Sequence, residues 1–398
     1  MTMMVRAMAI TASLNASRRP LLIRGPWRKH SAGPARWGPR SGRALPPTRP
    51  IIGGVGIDLV LRRACGLVVG LCLAGRGVQA QEDLPSRRGP METRDEWLLA
   101  QPRLSLPATS PDPLPQGETR VRVDMDWGND FGLEGRAEPP QDLGFLVDGE
   151  HRTAALDVRH GLRPSLVLGL RLPVRWRGPG LLDGVIDAWH RLTGLPDNHR
   201  SFFPNQLLRV AGLDDLARPL RWSGSSGSGL GDLELSALWA FRPRASGWAG
   251  AAVGRLALPT GTGPFEASGI DAGAQLVTAH PLGGKGDVYL GVGGTVFGES
   301  ERDGLRYVRL RPAGFATFEW RPSRRLSLLA EVNAAGALLA DIPAYTGRHI
   351  QVRAGARHDF GDGYELQAGF VEGVSSVQNT TDFGVFFGVS RTLGRKGR

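Results

Sequence analysis

"RYVRLRPAGFATFEW" (residues 306–320) alternates between apolar and polar side chains with a period of two. The apolar set is Val308, Leu310, Ala316, Phe318 and Trp320. The polar set is Arg309, Arg311, Thr317 and Glu319. Because successive side chains of a β-strand point to opposite faces, this stretch predicts a strand with one apolar face and one polar face.

The same alternation recurs through most of the chain after residue 117. Comparable segments lie at 120–127, 166–175, 232–242, 326–333 and 350–359. Turn-forming runs such as "RPSRR" (321–325) and "FGDGYE" (360–365) separate neighbouring segments. The pattern predicts about twelve strands of roughly 9–15 residues each.

Two architectures share this alternation. A soluble sandwich buries its apolar faces between two sheets, whereas a membrane barrel turns them to lipid and its polar faces to the lumen. The segments are long enough to cross a bilayer, which takes about 9–11 tilted residues. Aromatic residues near the segment ends suit an interfacial girdle; they are Trp127, Trp176, Trp239, Trp320 and Phe360. The sequence therefore favours an all-β, transmembrane, antiparallel up-and-down β-barrel of about twelve strands, with one short amphipathic helix inserted.

The charge of the chain is concentrated in its first part. The formal net charge is +11, but residues 1–80 hold 13 Lys and Arg and one acid, Asp58, whereas residues 81–398 hold 36 basic and 37 acidic residues. A nearly neutral main domain does not predict a nucleic-acid partner. Both cysteines, Cys65 and Cys72, lie in the first part, so the rest of the chain has neither a disulfide framework nor thiolate chemistry.

The first part of the chain predicts export. Arg62 and Arg63 precede an apolar run from Ala64, and small residues follow at Val78 and Ala80, as in a secretory signal. We expect residues 55–80 to be a signal peptide cleaved near Ala80, and residues 1–54 to be a basic extension that is either untranslated or disordered. Residues 81–117, rich in Pro, Ser and Gln, predict a flexible lead-in. The barrel domain then spans 118–393, and 394–398 form a basic tail.

"GLLDGVIDAWHRLTGLPDNHR" (180–200) predicts the helix. Leu182, Val185, Ile186, Trp189 and Leu192 would share one face. Asp183, Asp187 and His190 would share the other, where His199 and Arg200 could join them. Amphipathicity explains this spacing without any ligand. Three interpretations stay open: a structural plug inside or across the barrel mouth, a binding or gating site for an ion or ligand, and a catalytic site.

The polar faces of the strands predict charged groups in the lumen. The candidates are Arg171, Arg175, Asp232, Glu234, Arg309, Arg311, Glu319, Glu331 and Arg353. Such a mixture could select solutes by field strength. It could equally form cross-strand ion pairs that fill a narrow barrel.

Two sets of motifs resemble known membrane barrels. Gly229, Gly231 and Asp232, then Leu258 to Gly261, then Gly269 and Asp271 resemble a pattern of outer-membrane transporters of aromatic-degradation pathways. The 180–200 stretch resembles more closely the uncharacterised proteobacterial family domain-of-unknown-function 3187, through Leu182, Asp183, Ile186, Asp187, His190, Gly194 to Pro196 and Arg200. The resemblance covers about residues 118–393 and implies a barrel in the outer membrane of a Gram-negative bacterium. It implies outer-membrane lipid and the barrel-assembly machinery as partners.

The C-terminus departs from that pattern. Barrels of this kind usually end on an aromatic residue that the assembly machinery recognises, whereas here the pattern ends at Leu393 and "GRKGR" follows. Phe387 and Val389 are candidates for an internal signal.

These features predict a passive channel or transporter for small solutes, hydrophobic ones included. We assign no catalytic residue, no metal ligand and no cofactor. A lipid-modifying hydrolase is one alternative, which would need a buried Ser–His–acid contact at His151, His160, His280 or His358. A non-transporting structural barrel is the other, and a lumen filled by side chains would favour it.

Overall fold

Sixteen strands are present in the computed structural model, which describes residues 88–135, 143–194, 200–213, 218–220, 222, 225–242, 247–342, 347–374 and 379–394. In chain order they are β1 (Thr119–Gly135), β2 (Leu143–Arg163), β3 (Leu166–Gly178), β4 (Arg209–Gly212), β5 (Gly227–Leu230), β6 (Leu233–Arg242), β7 (Ala249–Leu258), β8 (Asp271–Leu282), β9 (Gly286–Val296), β10 (Glu301–Arg302), β11 (Leu305–Arg306), β12 (Leu310–Trp320), β13 (Leu326–Ala335), β14 (His349–Gly361), β15 (Tyr364–Gly373) and β16 (Phe383–Leu393). Residues 1–87 and 395–398, which include the predicted signal peptide and most of the basic tail, lie outside the described residues.

Twelve of the described strands form the wall of a closed antiparallel β-barrel. Each wall strand pairs with its neighbours in chain order, and β1 pairs with β16 from Thr119↔Leu393 to Asn129↔Phe383, which closes the ring. The short β4 and β5 extend the wall beside β2 and β3, and β10 and β11 form a separate hairpin. The predicted twelve-strand up-and-down barrel is confirmed, and the sandwich is excluded.

The wall is apolar outside and mainly polar inside, with a buried apolar patch on the inner faces of β7, β8, β9 and β12. On β3, Leu168, Leu170 and Leu172 are exposed, whereas Arg171 and Arg175 between and beyond them are buried. This is the reverse of a water-soluble fold, and it follows from strand alternation when the outer face meets lipid.

The two ends of the barrel differ in the length of their connections. One end carries the short turns 164–165, 283–285 and 362–363 together with the start of β1 and the end of β16. The other end carries the long connections 179–232, 297–309 and 336–348. Because membrane barrels have short periplasmic turns and longer extracellular loops, the first is the periplasmic end and the second is the extracellular end.

One α-helix, α1 (Asp183–Thr193), lies in the long extracellular connection between β3 and β4. It ends at Gly194, whose left-handed φ of 71° lets its N–H bond the carbonyl of His190. Asp183 in the first turn and Arg191 in the last complement the helix dipole. The predicted helix and its end are therefore confirmed. No helix among the described residues is long and apolar enough to span a membrane.

Residues 88–117, which we call the luminal segment, lie inside the barrel as far as Pro111, and 115–117 are exposed at the periplasmic end before β1 begins. The expectation of a flexible lead-in is wrong for these residues, since Met91, Trp97 and Leu98 are at most 1% exposed. Six prolines punctuate the segment at 90, 102, 107, 111, 113 and 115. Proline has no N–H to donate to a strand ladder. The segment therefore fills the lumen as irregular chain and does not add to the wall.

Candidate functional site

The luminal segment contacts wall strands around the whole ring, which places it within the lumen. Its hydrogen-bond partners lie on β1, β2, β3, β6, β7, β8, β12, β13 and β14. A segment outside the ring could reach only adjacent strands. The lumen and its occupant are therefore the first part of the candidate site.

At the periplasmic end, Arg88 anchors the segment. Its guanidinium donates to the Ser327 hydroxyl at 3.0 Å and to the Arg324 carbonyl at 2.8 Å. The backbone N–H groups of Arg88 and Gly89 donate to the two oxygens of Glu319. In return, Arg357 from the wall donates to the carbonyls of Arg88 and Pro90. Side chains of the wall thus replace the backbone partners that an irregular buried chain otherwise lacks.

In the middle of the lumen, charged groups of the segment meet opposite charges of the wall. The Nη2 of Arg94 lies 2.7 Å from the Oε2 of Glu234. Two acidic residues of the segment pair with basic residues of the wall: Glu92 with Arg159 at 2.8 Å, and Asp95 with Arg311 at 3.1 Å. Glu96 accepts from the Thr153 hydroxyl at 2.9 Å and lies 3.6 Å from Arg175. The segment and the wall are electrostatically complementary.

At the extracellular end, the segment is held by apolar contacts. The run from Trp97 to Ala100 is buried in a cluster with loop residues that include Phe297, Leu338 and Ile342. The Tyr307 hydroxyl donates to the Leu99 carbonyl at 3.1 Å. Burial raises the pKa of Tyr307 to about 12, so the phenol stays protonated and keeps donating at neutral pH.

The segment then returns toward the periplasmic end. Arg103 lies 3.0 Å from Glu299 and stacks on the Tyr307 ring, with 4.2 Å between the guanidinium carbon and the ring centroid. The Gln275 amide donates to the Pro107 carbonyl at 3.2 Å, and Arg255 donates to the Thr109 hydroxyl at the same distance. Ascending and descending chains together occupy the interior.

The space left beside the segment is small. A cavity of about 40 Å³ lies between Asp95 and the wall residues Arg311, His349 and Arg353. This space is large enough for water. Among the described residues, the luminal segment occupies most of the lumen beside it.

Eight of the nine predicted lumen charges are buried and point inward. They are Arg171, Arg175, Asp232, Glu234, Arg311, Glu319, Glu331 and Arg353. The prediction for Arg309 is wrong: β12 begins at Leu310, and Arg309 is exposed in the bend before it. The reason is the β10–β11 hairpin, after which Tyr307 turns into the apolar cluster and interrupts the alternation. The sequence did not indicate that the inward charges pair with the luminal segment.

At His151, the contact expected of a hydrolase is incomplete. The Nδ1 of His151 lies 2.8 Å from the Oδ2 of Asp130, and both side chains are buried. The same Asp130 oxygen accepts the backbone N–H of Leu98 at 2.7 Å, so the pair holds the luminal segment. In the described part of the chain, no serine or threonine hydroxyl hydrogen-bonds His151.

Helix α1 lies on the outer surface of the barrel, at the extracellular rim. Its buried residues Leu182 and Ile186 pack with Trp127, Phe370 and Phe383. Those three aromatic residues face outward, because each shares a strand face with exposed residues: Met125 on β1, Leu366 on β15, and Val385 and Phe387 on β16. The expectation of a plug within or across the mouth is therefore wrong. An amphipathic pattern fixes which face is buried but not against what.

The predicted polar face of α1 is divided. Asp183 is buried and accepts hydrogen bonds from Arg200 and from the Asn129 amide, the latter at 3.2 Å. His190 is also buried, and it lies beside Glu372 and Asp382. Asp187 is half-buried and belongs to neither group. His199 lies outside the described residues. Asp183, Asp187 and His190 thus do not form one site.

The free face of α1 is apolar. Leu181, Val185 and Leu192 are 65%, 54% and 82% exposed. Of the predicted apolar face, Leu182 and Ile186 therefore pack on the barrel wall, whereas Val185 and Leu192 are exposed. Exposed apolar residues on a helix beside the lipid-facing wall are typical of a helix at the membrane–water interface.

A closed twelve-stranded barrel with an apolar outer belt and a charged interior defines the class of transmembrane β-barrel proteins. The family model described as "Protein of unknown function (DUF3187)" matches residues 71–392. The chain belongs to this family, as the 180–200 stretch predicts.

Several solved structures resemble the fold. The COG4313 outer membrane channel from Pseudomonas putida F1 is 15% identical with a TM-score of 0.49, covering 73% of this chain and 100% of that chain. The toluene transporter TodX of Pseudomonas putida is 12% identical with a TM-score of 0.35, covering 77% and 96%. The KdgM porin is 10% identical with a TM-score of 0.35, covering 69% and 98%. Resemblance at this level carries no argument about the solute. No curated protein matches the chain.

Proposed function

We propose that the protein is an outer-membrane channel for small solutes that is closed by its luminal segment and opens when that segment is displaced. The observation that carries the proposal is the identity of what fills the lumen. Wall side chains alone fill an eight-stranded barrel, whereas barrels of 16–18 strands leave an aqueous channel. In this twelve-stranded barrel a separate stretch of chain occupies the space.

The contacts that hold the segment in mid-lumen suit reversible docking. They are ion pairs between side chains of the segment and the wall, such as Arg94 with Glu234 and Asp95 with Arg311. Both members of such a pair regain water when the segment leaves. A second part of the lining, around Ala108 of the segment, is apolar and includes Ala251, Val253 and Val277, so the cost of hydrating it opposes displacement.

The charged lining favours small polar or charged solutes over the hydrophobic solutes that the sequence also allows. Arg171, Arg353, Glu234 and Glu331 all point into the lumen. An open path through the lumen would be lined by charges of both signs, and such a lining discriminates between solutes by their charge.

Planar-bilayer conductance of the refolded chain tests the proposal. The informative variant is E92Q/D95N/E96Q, which removes three segment carboxylates that contact wall arginines. We expect a higher open probability than in the parent, because each change removes an ion pair that holds the segment to the wall. A control variant, D187N/E266Q/E301Q, makes the same charge change outside the lumen and should conduct like the parent.

A non-transporting structural barrel is the second candidate, and the filled lumen favours it too. The triple variant distinguishes the channel from the structural barrel. If E92Q/D95N/E96Q folds, as far-UV circular dichroism would show, and neither it nor the parent conducts, the channel proposal fails and the structural role replaces it.

A further inference from the structure

We infer that His190, Glu372 and Asp382 form a binding site for a divalent transition-metal ion that pins helix α1 to the outer rim of the barrel. One ligand atom from each residue can be chosen so that all three lie within 4.8 Å of one another. The inference does not depend on the proposed channel function, because the site is outside the lumen.

The three residues come from separate elements that meet only in the folded barrel. His190 is in the last turn of α1, Glu372 is near the extracellular end of β15, and Asp382 directly precedes β16. Glu372 pairs in register with Phe383, which packs under the helix, so Glu372 is on the outer face of the wall. A metal ion there would join the helix to two neighbouring strands.

Both ring nitrogens of His190 lack a hydrogen-bond partner among the described residues, although the side chain is only 5% exposed. The Oε2 of Glu372 is buried and makes no hydrogen bond of good geometry among the described residues, although the Trp189 side chain lies beside this carboxylate. Buried polar atoms are almost always satisfied. An imidazole nitrogen and a carboxylate oxygen left open toward each other are what a metal ion would satisfy.

The local charge balance also calls for a cation. Arg200 is the guanidinium that pairs with this group: it is bonded to Asp183 and, through Nη1 at 3.0 Å, to the Oδ2 of Asp382. Glu372, which lies beside Asp382 and His190, is a third carboxylate in the same region. Carboxylates at a lipid-facing rim are costly unless paired.

The ligand chemistry selects the class of ion. Imidazole suits zinc, copper, iron and nickel, whereas sites made only of carboxylate and carbonyl oxygens suit magnesium and calcium. Ligands about 2.1 Å from zinc in a tetrahedron lie about 3.4 Å apart. The three donor atoms lie within 4.8 Å of one another, so they need to approach by at most about 1.4 Å. Three protein ligands leave one position for water.

Isothermal titration of the refolded full chain with Zn²⁺ tests the site, in a background where Cys65 and Cys72 are serine. We expect one ion per chain, with affinity lowered at least about tenfold in His190→Ala and in Glu372→Gln. Asp187→Asn is the matched control, since it removes a carboxylate from the same helix outside the cluster. Absence of stoichiometric binding, or binding unaffected by both ligand substitutions, would overturn the site.

Trypsin cleavage after Arg191, followed by mass spectrometry, tests the pinning separately. Arg191 is exposed on α1, and cleavage requires local opening of the helix. At a Zn²⁺ concentration about 100 times the Kd of the parent, cleavage should slow by about 100-fold in the parent. It should slow by about tenfold or less in Glu372→Gln, which keeps the helix sequence but binds at least about tenfold more weakly. Equal rates with and without Zn²⁺ in the parent would refute the pinning.

Discussion

Glu234→Gln perturbs the docking of the luminal segment most directly. Glu234 lies 2.7 Å from Arg94, and the two side chains are 5% and 3% exposed. Removing one partner of a buried pair leaves the other charge uncompensated and costs about 3–5 kcal/mol. The wall is held by its strand ladders, so this cost falls on the docked segment rather than on the barrel.

The expected effect is a larger population of displaced segment. A difference of about 1.4 kcal/mol changes an equilibrium tenfold, and Arg94 recovers part of the loss by reaching toward water. At the lower end, about 3 kcal/mol, the displaced population rises by about 100-fold.

A buried reporter thiol measures that population. Ala108→Cys places a small side chain at a position that is 0% exposed, in a background where Cys65 and Cys72 are serine. A maleimide reaches this thiol only when the segment leaves, so the labelling rate follows the displaced population when displacement is fast relative to labelling. Glu234→Gln should raise the rate by about 100-fold.

Two comparisons make the result decisive. Glu301→Gln removes an exposed carboxylate and should leave the labelling rate unchanged. R94M/E234Q removes both members of the pair and should recover part of the loss, because Arg94 is no longer left buried without its partner, whereas Arg255 still loses the attraction of Glu234. A Glu234→Gln rate within threefold of the parent would refute the reasoning, and so would a double variant that labels faster than the single one.

Three further predictions concern other contacts. Burial raises the pKa of Tyr307 from 10.0 to about 12. The stabilisation from its O–H is therefore complete below pH 10 and is lost as the pH rises from 10 to about 12. The open probability in bilayers should rise over that pH range in the parent but not in Tyr307→Phe. Gly273→Leu should speed reporter labelling, because a Cβ there lies 2.8 Å from a leucine of the luminal segment, whereas Gly254→Leu, with nothing within 4 Å of its Cβ, should not. Ile186→Ala, at 0% exposure, should cost about 2–5 kcal/mol and speed tryptic cleavage within α1 by about 30-fold or more, whereas Leu192→Ala, at 82% exposure, should leave that rate nearly unchanged.

The wall could be predicted because its causes are local. Each strand has lipid on one side and polar groups on the other, so the period of two is present in every segment. Leu170 and Arg171, neighbours on β3, already show opposite exposure. The rule failed at Arg309, where contacts of Tyr307 with Leu99, 208 positions away, override the local pattern.

Helix α1 could be predicted, but its location could not. Gly194 and the apolar spacing indicate its end and its amphipathicity without reference to the rest of the chain. The surface that receives it consists of Trp127, Phe370 and Phe383 on three strands. Aromatic residues near strand ends are equally expected in an interfacial girdle, so nothing in the sequence distinguishes a docking surface from lipid contact.

The luminal segment was missed because it has no period. Proline at short intervals is typical of a flexible linker, and the partners of Arg94 and Asp95 lie 140 and 216 positions away. One signal was present, however. Residues 91–99 combine Met, Trp and two leucines with alternating charges, whereas a solvated linker has few aromatic or large apolar residues.

The alternating pattern of the wall strands therefore indicates which charged side chains point into the lumen. It does not indicate whether those side chains contact water or another part of the chain. An open lumen and a filled lumen require the same inward residues, since Glu234 would face inward in either case. The difference lies in a segment outside the wall whose charges complement the lining, as Arg94 complements Glu234 and Asp95 complements Arg311. In barrels of intermediate strand number, the proline-rich stretch before the first strand should be compared with the inward-facing charges before an open pore is predicted. Here the structure places Trp97 and its neighbours in the apolar cluster at the extracellular mouth, so the displacement of the segment proposed above requires their release.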